Sequence, residues 1–327
     1  QFVVDKFHLT KTQIMELVAM TFAKMQFKHI FTYSALFTPD DPIYFVEHSI
    51  ITNSTKTETT EGLADYAEEE SEVKYTEQTS VDLRLGKRRF NCRPIPYPNK
   101  FTIVTDTIQK LLMDSHLVDV AEIVLNTLSD ELAGTKDSRA IQIAKRYASV
   151  TNGSVKIKSF QDIVNASSNM YDKSLRGEVN IILGGAWVVA TLRKDPRWIN
   201  DSTMPRAGML VPVGTIAGIK VYSSRSSLLD DEALLIYKNP DSDGDISLAF
   251  GEQRMFAAML DYPEKSQQLP IGAIEDHMLI HGGFILHGKL VDSKNALFDK
   301  IIKAYNSLKY KFLAWKSNRR LTKENKK

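Results

Sequence analysis

The chain holds one cysteine, Cys92, in 327 residues, which excludes an internal disulfide and a cysteine-rich zinc site. It also lacks an excess of either charge. Forty-two Lys and Arg stand against 40 Asp and Glu, a net charge of +2, so the overall balance points neither to nucleic acid nor to an anionic membrane. No apolar run approaches the roughly 20 residues that cross a bilayer, and the first residues carry no signal-peptide pattern. The short signatures of common chemistries are missing as well. "ILGGAW" at 182–187 is no G-x-G-x-x-G fingerprint, and there is no G-x-x-x-x-G-K-[ST] phosphate loop. Neither a G-x-S-x-G elbow nor a suggestive Cys/His pair occurs. No catalytic residue, cofactor or metal is expected. The chain starts at Gln1, which leaves a trimmed start and a product of proteolytic maturation equally open.

What is present suits a folded protein, with 43% hydrophobic and 25% charged residues. Apolar residues at Ile14, Leu17, Val18, Phe22, Met25 and Phe27 predict an amphipathic helix over 9–28. Two prolines in "FTPDDPIY" then break regularity, and "YFVEHSIIT" reads as a strand. From Thr57 to Gln78 eight acidic residues face one basic residue, Lys74, a stretch poorly suited to a core. Beyond it the pattern has a period of 2. Val73, Tyr75, Thr79, Val81, Leu83 and Leu85 fall on one face, with Glu72, Lys74, Thr76, Gln78, Asp82 and Arg84 on the other. That is a strand with one face covered and one wet. Lys87, Arg88, Arg89 and Arg93 join Arg84 near its far end. At about 3.3 Å per residue the strand exceeds ~40 Å, too long for its own domain to bury, and it is expected to project.

The strongest helical pattern runs through Leu117, Val120, Ala121, Val124, Leu125, Leu128 and Leu132, with Gly134 placed to end it. A second helix is expected over 138–148, a turn in "TNGSVKIKS" and a third helix over 159–173. Strands, a Gly-Gly turn and a short helix follow in "EVNIILGGAWVVATLRKD", then short strands in "AGMLVPVGTIAGIKVYSS", "EALLIYKNP", "DISLAFG" and "HMLIHGGFILHGKLV", and a last helix after Asn295. The class is α+β, without βαβ alternation and without an internal repeat.

Three clusters could be read as sites. Asp241, Asp243 and Asp245 alternate, and Glu252 stands twelfth, as in a calcium loop. Ile246, however, occupies the position that needs glycine, so an acidic hairpin turn is the better reading. His277, His281 and His287 share strand parity and could share a face; packed or solvated histidines are the default. The tail "LKYKFLAWKSNRRLTKENKK" has eight basic residues and one acidic, with Tyr310, Phe312 and Trp315 between them. A solvated helix end outweighs contact with phosphates here.

Taken in order, these segments resemble the major capsid proteins of tailed bacteriophages, with their Hong Kong 97-like fold, from about Ile43 to Val291. "YFVEHSIITNS" with "EGLADYAEEESEVKYTEQTSVDLRLGKRRFNCRPIPY" is similar to the family's extended two-stranded loop, an arm that lies over a neighbouring subunit. "TDTIQKLLMDSHLVDVAEIVLNTLSDELA" resembles the long spine helix of the peripheral domain. "NIILGGAWVVATLRKDPRW", "LVPVGTIAGIKVYSSRSSL" and "ALLIYKNP" resemble the axial domain, while "DISLAFGEQR" and "EDHMLIHGGFILHG" resemble the closing peripheral strands. The resemblance implies an N-terminal arm with a helix over 1–45 and the extended loop over 46–100. It implies a peripheral domain over 101–152 and 236–291, an axial domain over 153–235, and a C-terminal helix with a basic tail over 292–327.

It further implies a structural, non-enzymatic protein that assembles with itself into hexameric and pentameric capsomers. The shell would form in the host cytoplasm, enclose double-stranded DNA and remain in the virion. A portal, and a scaffold or maturation protease, are the expected partners, and no membrane is involved. Some family members form an isopeptide bond from a lysine near the arm's tip. Glu68 stands closest to that position, and the nearest lysines are Lys56 and Lys74, so cohesion is expected to be non-covalent. Glu68, Glu69, Glu70 and Glu72 would meet basic surface on an adjacent subunit, with Arg84, Lys87, Arg88 and Arg89 as candidate partners. An encapsulin-type nanocompartment shell shares the fold and differs in cargo. A DNA-binding protein acting through the basic C-terminus is a reading of another class.

Overall fold

In the computed structural model, residues 11–56, 75–97, 101–104, 120–174, 176–201, 208–240, 245–257, 266–269 and 271–291 are described. The chain divides into two compact units. One comprises 1–30, 108–238 and 282–327, the other 31–107 and 239–281.

The first unit begins with α1 (Lys11–Lys24) and α2 (Phe27–Ile30), which lie against one long helix, α3 (Val120–Asn152). The expected pair of helices separated at Gly134 is corrected here, because α3 runs unbroken for 33 residues, about 50 Å at 1.5 Å per residue. A glycine inside a helix costs only about 1 kcal/mol. The buried stripe Leu125, Leu128, Leu132, Ala133, Ala140, Ile141, Ala144 and Ala148 continues across it and outweighs that penalty. At Gly134 a Cβ would stand 3.0 Å from Met209 Cγ, so the small residue also admits a neighbouring side chain.

The same unit holds a mixed seven-stranded sheet in the order β6-β15-β11-β7-β10-β9-β8. Its strands are β6 (Ser154–Ile157), β7 (Ile181–Gly184), β8 (Trp198–Asn200), β9 (Leu210–Ile216), β10 (Ile219–Ser224), β11 (Glu232–Ile236) and β15 (Ile285–Leu290). Strand β6 was expected as a turn. Its residues alternate weakly, and only pairing in parallel with β15 makes it a strand. The expected helix is present as α4 (Phe160–Ser174), which buries Phe160, Ile163, Ala166 and Met170. Asp162 caps its start by accepting the N–H groups of Lys158 (2.8 Å) and Ser159 (2.9 Å), and these bonds hold its carboxyl below the ordinary aspartate range.

Strand β7 turns into α5 (Ala186–Leu192) at Gly184-Gly185. A Cβ on Gly185 would sit 1.9 Å from the carbonyl oxygen of Leu229, so this turn requires glycine. Strands β9 and β10 meet in a two-residue turn in which Ala217 (φ 49) and Gly218 (φ 85) are both left-handed, the geometry of a tight hairpin. Where α3 meets β11 and β15, Lys145 and His287 both contact Glu232, His287 Nε2 at 3.3 Å from Glu232 Oε2, and Lys145 also donates to the carbonyl of Leu228 at 2.7 Å. Burial pushes the Glu232 carboxyl up, but hydrogen bonds and charge from Lys145 and His287 together hold it below the ordinary glutamate value.

The second unit is built on a four-stranded sheet ordered β1-β12-β14-β4. These strands are β1 (Thr32–Ala35), β4 (Arg93–Pro96), β12 (Leu248–Ala257) and β14 (Ile271–Leu279). Prolines at positions 94 and 96 occupy its outer strand β4, where a missing N–H is tolerated and further pairing is blocked. A separate pair joins β5 (Phe101–Val104) to β13 (Ser266–Leu269). The last element is a hairpin of β2 (Pro42–Lys56) and β3 (Tyr75–Arg89).

Candidate functional site

The hairpin is the feature that sets this chain apart. Strands β2 and β3 pair in unbroken register from Pro42↔Arg89 to Lys56↔Tyr75. At about 3.3 Å per residue the ladder extends roughly 46 Å. A hairpin of this length has two faces, and at its base the two meet opposite fates.

One face closes over a core. Ile43 and Phe45 are buried with Leu36, Phe90, Cys92, Ile246 and Ala249. Phe45, 2% exposed, stands across the ladder from Gly86. A Cβ at that position would lie 2.3 Å from the ring, so glycine is what lets the phenyl lie flat on the opposite strand. Arg88 belongs to this side. Its guanidinium lies 5.6 Å from the Phe45 ring centroid and donates to the carbonyl of Leu279 at 3.0 Å. Cys92 lies in the same cluster with its thiol pushed up to about 11 by burial, reinforced by the carboxylates of Asp276, Glu275, Asp41 and Glu252.

The other face is uncovered. Leu85 is 73% exposed and Tyr44 is 51% exposed, and Val46, paired directly with Leu85, is half-buried. Lys87 stands opposite Tyr44 and places its ammonium 5.3 Å from the ring centroid. This is the face that the alternation in β3 marked as apolar and therefore as covered. Within its own chain, the covering is missing at Tyr44 and Leu85.

Of the basic residues expected to meet a neighbour, all four lie in the base half of the ladder. Arg84 is opposite Glu47 in the register and is exposed. Arg89 approaches the Asp40 carboxylate at 3.7 Å with both side chains 68% exposed, an ion pair worth at most a few tenths of a kcal/mol. Arg88 is held by its own chain as described, while Lys87 is exposed over Tyr44. Glu68, Glu69, Glu70 and Glu72 lie outside the described residues.

The remaining clusters resolve into ordinary packing. Asp245 accepts the side-chain amide of Asn239 at 3.1 Å, and Glu252 accepts the Tyr33 hydroxyl at 3.2 Å. Asp241 and Asp243 lie outside the described residues. His277, His281 and His287 do not share the face that their parity allowed. A 3₁₀ turn at Gly282–Phe284 separates β14 from β15, and the two strands belong to different sheets. His277 stacks against Phe250 at 6.3 Å, while His287 contacts Glu232. Among the described residues no group of three His, Cys, Asp or Glu side chains could hold a metal ion, and no described helix is long and apolar enough to cross a membrane. The C-terminal basic run lies outside the described residues.

Tyr44 was missed in the sequence, although a signal for it exists. "IYFV" at 43–46 is continuously apolar, and a continuous run marks a strand buried on both faces.

No protein-family model and no curated protein matches the chain. Its fold is similar to a chain of the satellite phage P4 procapsid that includes the size determination protein, at 10% identity and a TM-score of 0.49, covering 85% of this chain and 99% of that one. It is similar to the virus-like particle of Pyrococcus furiosus at 11% identity and 0.46, covering 85% and 98%. A third likeness is to the capsid of cyanophage P-SCSP1u at 10% identity and 0.45, covering 82% and 89%.

Proposed function

We propose that this chain is a structural shell protein, the major capsid protein of a tailed bacteriophage, and that it works by covering and being covered by copies of itself. The observation that carries the reading is the exposed Tyr44–Leu85 face at the base of a hairpin where Ile43 and Phe45 on the opposite face are buried in a core of the same chain. Covering a Leu or Tyr of this kind is worth about 1–3 kcal/mol, and a closed shell repeats that gain at every interface. In this reading residues 46–100 are the arm, and the acidic stretch Glu68–Glu72 of one copy meets basic surface on the next. Residues 101–152 with 236–291 form the peripheral domain and 153–235 the axial domain. The shell encloses double-stranded DNA and acts without a catalytic group.

Electron microscopy and sedimentation of the expressed full chain test the proposal. Closed particles of uniform size are the expected result. A soluble monomer at tens of micromolar removes the reading. DNA-filled particles support the capsid role, whereas particles that carry a protein cargo and no DNA assign the chain to encapsulin-type compartments.

A further inference from the structure

Helix α1 carries apolar side chains on two sides. Inward it buries Leu17 and Thr21. Outward, Met15 is 66% exposed and Phe22 is 44% exposed, and Ala19 between them is exposed as well. Steps of four and three residues set these on one stripe. A helix face that ends at solvent ordinarily carries polar residues there. Beside α1, α3 exposes Ile123 together with Glu122, Asp130 and Glu131. From Val120 to Thr135 this helix holds those three acids and no base. The helix dipole accounts for an acid in the first turn, but not for a pair of them two turns further on.

Both helices are fixed by their own chain. Lys24 of α1 pairs with Asp130 at 2.8 Å and donates to Ser129 at 2.6 Å. Asp137 of α3 reaches the break between α1 and α2, where its Oδ1 accepts the N–H groups of Gln26 at 3.0 Å and Phe27 at 2.9 Å. A surface already ordered loses little freedom when a partner arrives. The cations of this region stand at the ends of α1: Lys11 opens it, and Lys28 beyond it lies 3.9 Å from the Phe22 ring centroid. Between them the exposed apolar residues are rimmed by Glu16, Glu122 and Glu131. The base of the hairpin is the reverse. Exposed Tyr44 and Leu85 stand beside exposed Lys87 and Arg89, and five bases and no acid lie between Leu83 and Arg93.

We infer that the α1–α3 face of one copy is the seat for the hairpin base of the next, with Tyr44 and Leu85 against Met15 and Ile123, and Lys87 and Arg89 toward Glu16 and Glu131. The inference rests on the shell reading and names the surface that covers the arm. Charge sign selects the occupant. Two hairpin bases face to face would oppose bases, and two α1–α3 faces would oppose acids, and like charges across an interface weaken it steeply. One face of each kind gives apolar contact inside and opposite charges around it. Because the two patches are different surfaces of one chain, the contact is heterologous and repeats from copy to copy until it closes.

Hydroxyl-radical footprinting and charge reversal in the full chain test the seat. On assembly Met15, Tyr44 and Leu85 are expected to lose most of their reactivity together. Lys87→Glu with Arg89→Glu, or Glu16→Lys with Glu131→Lys, should raise the concentration needed for assembly at least about tenfold, because reversal sets like charges together where salt only screens them. All four changes in one chain should restore assembly. These side chains are exposed, so the denaturant midpoint should not move. Particles in which Met15 stays as reactive as in the free chain, or a fourfold variant that folds and does not assemble, overturn the seat and leave the shell reading standing. Rescue of Lys87→Glu/Arg89→Glu by reversing Glu68–Glu72 in place of Glu16 and Glu131 also overturns it, and assigns the hairpin base to the arm's acidic stretch. Absence of particles from the unsubstituted chain removes the shell reading and the seat with it. The footprint needs no substitution and decides the matter even where a variant fails to fold.

Discussion

Strand β7 and the start of β2 carry nearly the same message in sequence. Ile181–Gly184 and Ile43–Val46 are each short, apolar and unbroken by a polar residue. In the seven-stranded sheet β7 is buried at every position, with β10 on one side and β11 on the other. In the hairpin, β2 buries Ile43 and Phe45 and exposes Tyr44. The difference lies in what the chain provides. One strand finds both of its covering layers in its own unit, while the other finds one. In the proposed shell a further copy supplies the hairpin's second layer.

The comparison breaks most sharply in the core. Leu183→Ala should lower the unfolding free energy by about 2–5 kcal/mol, read from denaturant midpoints, and Phe45→Ala should do the same because that ring is equally buried. Gly86→Val attacks the same contact from the other strand and should destabilise the hairpin base, since its Cβ has no room beside Phe45. A smaller loss, about 1–3 kcal/mol, is expected for Lys145→Met, which removes the cation from a partly buried carboxylate.

That carboxylate also fixes a sign. Glu232 ionises more readily in the folded chain than at the ordinary value of 4.5. Its stabilising contribution is therefore complete above pH 4.5 and lost as pH falls through the lower folded value. Urea titrations between pH 3 and pH 6 should show this dependence, and Glu232→Gln should remove it.

The substitution that sharpens the comparison has the least effect on the isolated chain. Tyr44→Ser with Leu85→Ser should change chain stability by no more than about 0.5 kcal/mol per site yet abolish particles in sedimentation. Destabilisation of several kcal/mol would show that this face was covered within the chain after all. Smallest of all is the ionic contribution. Raising salt to 1 M should weaken assembled particles only modestly, because exposed ion pairs between copies are weak and screened; a shell indifferent to salt would remove charge from the account of cohesion.

Much of this was legible beforehand. The period of 2 in β3, the apolar positions of α4 and the Gly-Gly turn before α5 were each visible in the residues that form them, and the mixed class follows from their sum. The failures share a cause. Gly134 marked a helix end by local rules, but Leu132 before it and Ile141 after it are both buried, and that burial on either side carries α3 through. Strand β6 offers too weak an alternation to be seen without β15 beside it. The histidines, for which packing or solvation was the default reading, share parity in sequence and no face in space, because the Gly282–Phe284 turn hands the chain from one sheet to another.

Sequence alone determined where strands and helices can form, and that the stretch forming β3 alternates between an apolar and a polar face. Those properties depend on residues a few positions apart. Only the tertiary structure decided which face is sealed, that Asp137 reaches back to cap α2, and that Glu232 sits between a lysine and a histidine. Burial and charge compensation are sums over residues brought from distant parts of the chain, and no local pattern encodes them.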